Sequence, residues 1–134
     1  MGHILFCRKV SFMASHYYRL PNQTENQATK RFGKVSQCHE HKWVLTIWLR
    51  GPLDPETGMM VDLCEVDAIL ENEILKPFHG RVINHQDTYF QQVLPTTEAL
   101  AGYFAQRLAP KFLPGMLVRL RIAEEDDLFS EWHL

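Results

Sequence analysis

The sequence predicts an α+β fold: an antiparallel β-sheet with two helices on one face, in the order β-β-α-α-β-β. Three observations predict it. Residues 4–16, 38–50 and 116–123 alternate between apolar and polar side chains, the period of a half-buried strand. Residues 62–76 and 96–109 carry apolar side chains at helical spacing. The strand patterns flank the helical ones instead of alternating with them, which favours antiparallel pairing.

In the first strand, Ile4, Phe6, Val10, Phe12, Ala14 and His16 share one parity, interrupted by Arg8. Residues 17–37 are polar, with Pro21, Gly33 and several amides, and read as a loop with room for a helical turn. In the second strand Trp43, Leu45, Ile47 and Leu49 share the parity of His39 and His41. Residues 51–58 are dense in turn formers. Asp62 can cap a helix carrying Leu63, Val66, Leu70 and Ile74, and Pro77 is expected to end it. Residues 78–94 give no clear pattern. Thr96 can cap the second helix, whose stripe is Leu100, Phe104 and Leu108 and whose stop is Pro110. Met116, Val118, Leu120 and Ile122 alternate in the third strand, and residues 128–132 form a short last one.

Size and charge narrow the function. The 134 residues fit one domain, 1–134, with 46% hydrophobic and 22% charged side chains. The core of so short a chain is modest, so burial between copies is expected. A formal net charge of -2 gives no basic field for nucleic acid or an anionic membrane surface. No apolar run is long enough to cross a bilayer, and residues 1–8 do not read as a signal peptide. Cys7, Cys38 and Cys64 are an odd, scattered set, which suits a reducing cytoplasm better than a disulfide framework.

The histidines carry the chemistry. His39 and His41 lie two apart on a strand, so they project together, roughly 6.6 Å apart along it. A lone His-x-His is more often incidental than a ligand pair. Here both share the core-facing parity, where an unpaired imidazole is costly, and His16 ends another strand on its own core parity. Three imidazoles at strand ends can converge and leave a fourth tetrahedral position open, as at a catalytic zinc. Glu124 continues the parity of Met116 to Ile122. It is either a carboxylate aimed at a site or the opening residue of the acidic turn 124–127.

These residues resemble a known family. Phe12-Met13-Ala14-Ser15-His16 resembles the Phe-x-Ala-x-His of the 6-pyruvoyl and 6-carboxy-tetrahydropterin synthases. Phe32-Gly33-Lys34 is similar to their Phe-Gly-Lys-Cys loop, Asp54 to Met59 to their Asp-Pro-x-Thr-Gly-Met turn, and Thr96-Thr97-Glu98 to their Thr-Thr-Glu. The resemblance implies a T-fold (tunnelling fold), in which several subunits of a trimer, tetramer or hexamer close a β-barrel. It implies Zn2+ on His16, His39 and His41, and a pterin bound by Thr97, Glu98 and Glu124, with Glu124 on its guanidine-like edge. It implies a lyase acting on 7,8-dihydroneopterin triphosphate, giving a 6-pyruvoyl product or, in the queuosine-type branch expected here, 6-carboxy-tetrahydropterin.

The proton relay departs from that pattern. Val35 stands where the motif has its cysteine, and Cys38 is the one thiol in the loop. His79-Gly80 stands where the family has Asp-His, so the relay expected here is Cys38, His79 and Glu124; His85 has a weaker claim. His3 and His133 read as surface residues. The alternative is a divergent zinc- and pterin-binding protein with altered or lost catalysis.

Overall fold

A computed structural model describes residues 2–134. Strands β1 (Phe6–His16), β2 (His39–Leu49), β4 (Leu117–Glu125) and β5 (Leu128–His133) form an antiparallel meander, and the two-residue β3 (Arg81–Val82) adds in parallel beside Ala14 and Ser15. The order across the sheet is β3-β1-β2-β4-β5. The sheet is therefore mixed, where the sequence suggested antiparallel pairing alone. The parallel strand comes from residues 78–94, the stretch without a readable period.

One face is the core. Phe12, Trp43, Leu45, Ile47, Leu49, Leu120 and Ile122 point into it and are fully buried. Against them pack Val66 and Leu70 of α2 (Leu63–Leu70), Ile74, and Leu100, Phe104 and Leu108 of α5 (Thr97–Leu108). Each such side chain contributes about 1.5–3 kcal/mol through burial. Arg8 breaks the β1 stripe because it reaches α2, where it donates two hydrogen bonds to Asp67 at 2.8 and 2.9 Å.

Two elements differ from the sequence expectation. The loop 17–37 contains α1 (Glu25–Phe32), started by a capping box between Thr24 and Gln27. The helix expected to stop at Pro77 instead passes through a π-turn (Glu71–Leu75) into α3 (Lys76–Phe78). A proline removes the N–H that would meet the carbonyl four residues back, here that of Glu73. Arg107 of α5 supplies the missing donor, its Nε reaching the Glu73 oxygen at 2.8 Å. The short α4 (Tyr89–Gln92) completes the helices.

Candidate functional site

The site lies where β1 ends and β2 begins. Register pairs His16 directly with His39, and Ala14 with His41, so three imidazoles gather at one end of the core face. Their ring centroids are 4.5, 5.2 and 4.9 Å apart, and one potential ligand nitrogen from each lies within 4.8 Å of the others. Trp43 forms the floor, 4.9 Å from His16 and 5.5 Å from His41, its indole N–H donated to the Ala14 carbonyl at 3.0 Å.

Backbone carbonyls orient two of the rings. His16 Nδ1 is 2.8 Å from the Pro95 oxygen, and His39 Nδ1 is 2.6 Å from the Gln37 oxygen. A carbonyl only accepts, so each Nδ1 carries the hydrogen and each Nε2 presents a lone pair. This is the arrangement of metal-binding histidines, whose second nitrogen is fixed by an outer partner. His16 is completely buried, and burial lowers its pKa to about 4, so the ring stays neutral.

Glu124 enters from β4. The β4–β5 register shifts between Ala123 and Glu125, a bulge that sets the direction of the residue inside it. Its Oε2 stands 3.4 Å from His16 Nε2 and 3.4 Å from His41 Nε2. Glu124 Oε2 and His16 Nε2 are both buried and, among the described residues, lack a hydrogen-bond partner. Burial raises the Glu124 pKa, against the lowering influence of His41 and His39. A nitrogen-rich cluster with a bare buried lone pair fits a borderline-soft cation such as zinc.

Thr97 and Glu98 begin α5 close by. The Thr97 hydroxyl donates to Glu98 Oε1 at 2.8 Å and lies 2.7 Å from the Ser130 hydroxyl of β5. These bonds, chiefly that from Thr97, hold the Glu98 carboxyl below its usual value. Glu98 in turn adds a little to the upward shift of Glu124, after burial. Tyr18 packs edge-on to His16 at 5.3 Å and to Phe32 at 5.8 Å. Its phenol is pushed up to about 12, first by burial and then by Glu124 and Glu98.

Of the expected relay residues, Glu124 belongs to this cluster, whereas Cys38 and His79 are exposed. Cys38 is exposed and lies one residue outside β2. His79 is exposed and sits against β1, where its Nδ1 accepts the Met13 N–H at 3.1 Å. That amide orients the ring in place of the missing aspartate. His85 Nε2 is 3.0 Å from the exposed Tyr17 hydroxyl. Sequence reading missed Tyr18 and Ser130. Tyr18 was findable, since it continues the Phe12, Ala14, His16 parity past the expected strand end; Ser130 carried no signal.

A broad groove of about 740 Å³ lies elsewhere, lined by Ile4, Phe6, Leu53, Met59 and Leu63 among others, with no residue of the histidine cluster. No helix among the described residues is long and apolar enough to cross a membrane.

Comparison with known proteins agrees with this geometry. The family model for 6-pyruvoyl tetrahydropterin synthase matches residues 6–133. The 6-pyruvoyl tetrahydrobiopterin synthase of Pongo abelii is 30% identical over 122 residues, covering 90% of this chain and 84% of that protein. The Homo sapiens protein of the same name is 29% identical with the same coverage. The solved structure of Caenorhabditis elegans 6-pyruvoyl tetrahydropterin synthase superposes with a TM-score of 0.88 at 24% identity, covering all of this chain and 97% of that one. The fold is thus the T-fold of these synthases, and the chain belongs to the 6-pyruvoyl tetrahydropterin synthase family.

Proposed function

We propose that this single-domain chain is a zinc-dependent lyase that converts 7,8-dihydroneopterin triphosphate to a 6-substituted tetrahydropterin. The observation that carries the reading is the convergence of His16, His39 and His41, with Nε2 of His16 and His39 freed by carbonyls on their far sides. Zinc bound there would polarise side-chain hydroxyls of the substrate and ease proton loss from the adjacent carbon. Glu98 and Glu124 supply acceptors for the guanidine-like edge of the pterin, where a carboxylate can take two parallel N–H bonds. Thr97 holds Glu98 in place through its 2.8 Å bond. Cys38, His79 and Glu124 are the proposed proton relay.

Homo-oligomerisation completes the proposal. The apolar side chains of Ile4, Leu53, Met59 and Leu63 are exposed, and β5 has an unpaired outer edge. Both suit burial against further copies closing a barrel. The cytoplasm is the compartment proposed, on the strength of three free, exposed cysteines.

Two measurements test the reading. Protein purified without a histidine tag should carry about one zinc per chain, and His39→Ala should lose it; a folded wild type that binds no metal overturns the reading. Incubation with 7,8-dihydroneopterin triphosphate should release triphosphate. Product mass then assigns the branch, between the 6-pyruvoyl compound named in the relatives and the 6-carboxy compound of a queuosine-type pathway. Unchanged substrate leaves a pterin-binding zinc protein without turnover, the reading favoured by Val35 at the cysteine position.

A further inference from the structure

Three polar side chains meet where β5 passes the start of α5. The Thr97 hydroxyl is 2.8 Å from Glu98 Oε1 and 2.7 Å from the Ser130 hydroxyl, and Ser130 Oγ is 3.3 Å from the same Glu98 oxygen. Two hydroxyl hydrogens must serve these three contacts, because an ionised carboxylate only accepts. One assignment places a hydrogen in both short contacts: Ser130 donates to Thr97, and Thr97 donates to Glu98 Oε1. Any other leaves one of the short contacts without a hydrogen. The result is a directed chain, in which each bond polarises and strengthens the next.

The chain has a fixed origin. Ser130 pairs with Ile122 across the β4–β5 ladder, so the sheet sets its place, while Thr97 is buried in the first turn of α5. Its end is mobile by nature, since Glu98 is exposed and its side chain has several rotatable bonds. Both hydroxyl contacts to Glu98 fall on Oε1, and no side-chain donor among the described residues reaches Oε2. We propose that Ser130 is a positioning residue for the pterin: acting through Thr97, it fixes the Glu98 carboxylate by one oxygen and leaves the other for the N–H donors of the pterin edge. The inference rests on the pterin reading above and adds to it a residue of β5, outside the Thr-Thr-Glu motif. A carboxylate ordered before the ligand arrives loses less freedom on binding it, which strengthens the complex without a new contact.

The test separates this role from a plain link between β5 and α5. It uses full-length, tag-free protein and neopterin, with binding followed by fluorescence. Ser130→Ala should bind neopterin about fivefold more weakly, with zinc content unchanged. Ser130→Thr returns the hydroxyl and should restore wild-type affinity. In a Glu98→Ala background, Ser130→Ala should cost no further affinity, because the carboxylate that it positions is gone. Thermal melting shows whether each variant folds, and Ser130→Cys, close in size but a poor donor, carries the test if Ser130→Ala does not. Unchanged affinity in a folded Ser130 variant overturns the inference, and so does an equal loss with and without the Glu98 carboxylate. A wild type that does not bind neopterin overturns the pterin reading beneath it instead.

Discussion

Glu124 and Glu131 sit on the adjoining strands β4 and β5, and the fold treats them in opposite ways. Glu131 lies on the sheet face away from the helices and is surrounded by donors. It accepts from Arg119 at 3.0 and 2.6 Å, from Arg121 at 2.7 Å and from His133 at 2.8 Å. The guanidinium groups are themselves braced, Arg119 lying 4.0 Å from the Trp48 ring centre and Arg121 4.1 Å from that of Phe129. Those bonds, chiefly from Arg119, hold the Glu131 pKa down to about 2. Glu124, on the core face, has no such donor, and burial raises its pKa. The chain supplies partners to Glu131 and, among the described residues, none to Glu124 Oε2, as the proposed ligand-binding role of Glu124 requires. An unsatisfied buried carboxylate costs stability, and that cost marks the site.

Removing the two charges should therefore move stability in opposite directions. Glu131→Gln should cost about 1–2 kcal/mol at neutral pH, because two arginines lose their shared acceptor; both are partly exposed, so water moderates the loss. The Glu131 pKa in the folded protein, about 2, lies below its ordinary value of 4.5. Its contribution is complete above about pH 4.5 and is lost as pH falls through about 2. Denaturant melts across that window should show the gap closing, and a gap undiminished at pH 2 would defeat the assignment. Glu124→Gln should do the reverse in metal-stripped protein, raising stability by about 1 kcal/mol. Its raised carboxyl begins to destabilise the fold as pH rises past the ordinary value of 4.5 and does so fully above the folded-state pKa, so that gain belongs to higher pH and fades in acid. A loss of stability on this substitution would mean that Glu124 has structural donors after all.

The contrast also shows what the sequence could reveal. Parity placed His16, His39, His41 and Glu124 on one face, because strand period is a local property. The same parity placed Trp43, Leu45, Ile47 and Leu49 in the core, where they lie. What parity could not show were the carbonyls behind the rings. Pro95 and Gln37 are bonded through backbone atoms, and no side-chain pattern records that. Nor could it show Arg107 capping the Glu73 carbonyl past Pro77, a contact between helices distant in the chain. The Glu131 partners were written in the alternation of Arg119 and Arg121 opposite Glu131, but their meaning needed the β4–β5 register.

Tyr18 sharpens the comparison at the site itself. Its ring packs edge-on to His16, and burial first, then Glu124 and Glu98, raise its hydroxyl to about 12, so it stays a donor. Tyr18→Phe keeps the packing and removes the donor. Neopterin binding, followed by fluorescence, should weaken about fivefold, on the order of 1 kcal/mol. Zinc content should not change. Equal affinity would confine Tyr18 to packing.

Cys38 should give the smallest change in stability and the sharpest answer about chemistry. It is exposed and outside β2, so Cys38→Ala should shift stability by less than about 0.5 kcal/mol. Zinc content and neopterin affinity should stay at wild-type values. If its thiol moves a proton in turnover, kcat should nevertheless fall by about a hundredfold or more. The thiol stands on the residue next to His39, whereas Val35, at the position of the motif's cysteine, has no proton to give. Undiminished kcat would remove Cys38 from the relay, leaving Glu124 and His79 to be tested by the same separation of binding from turnover.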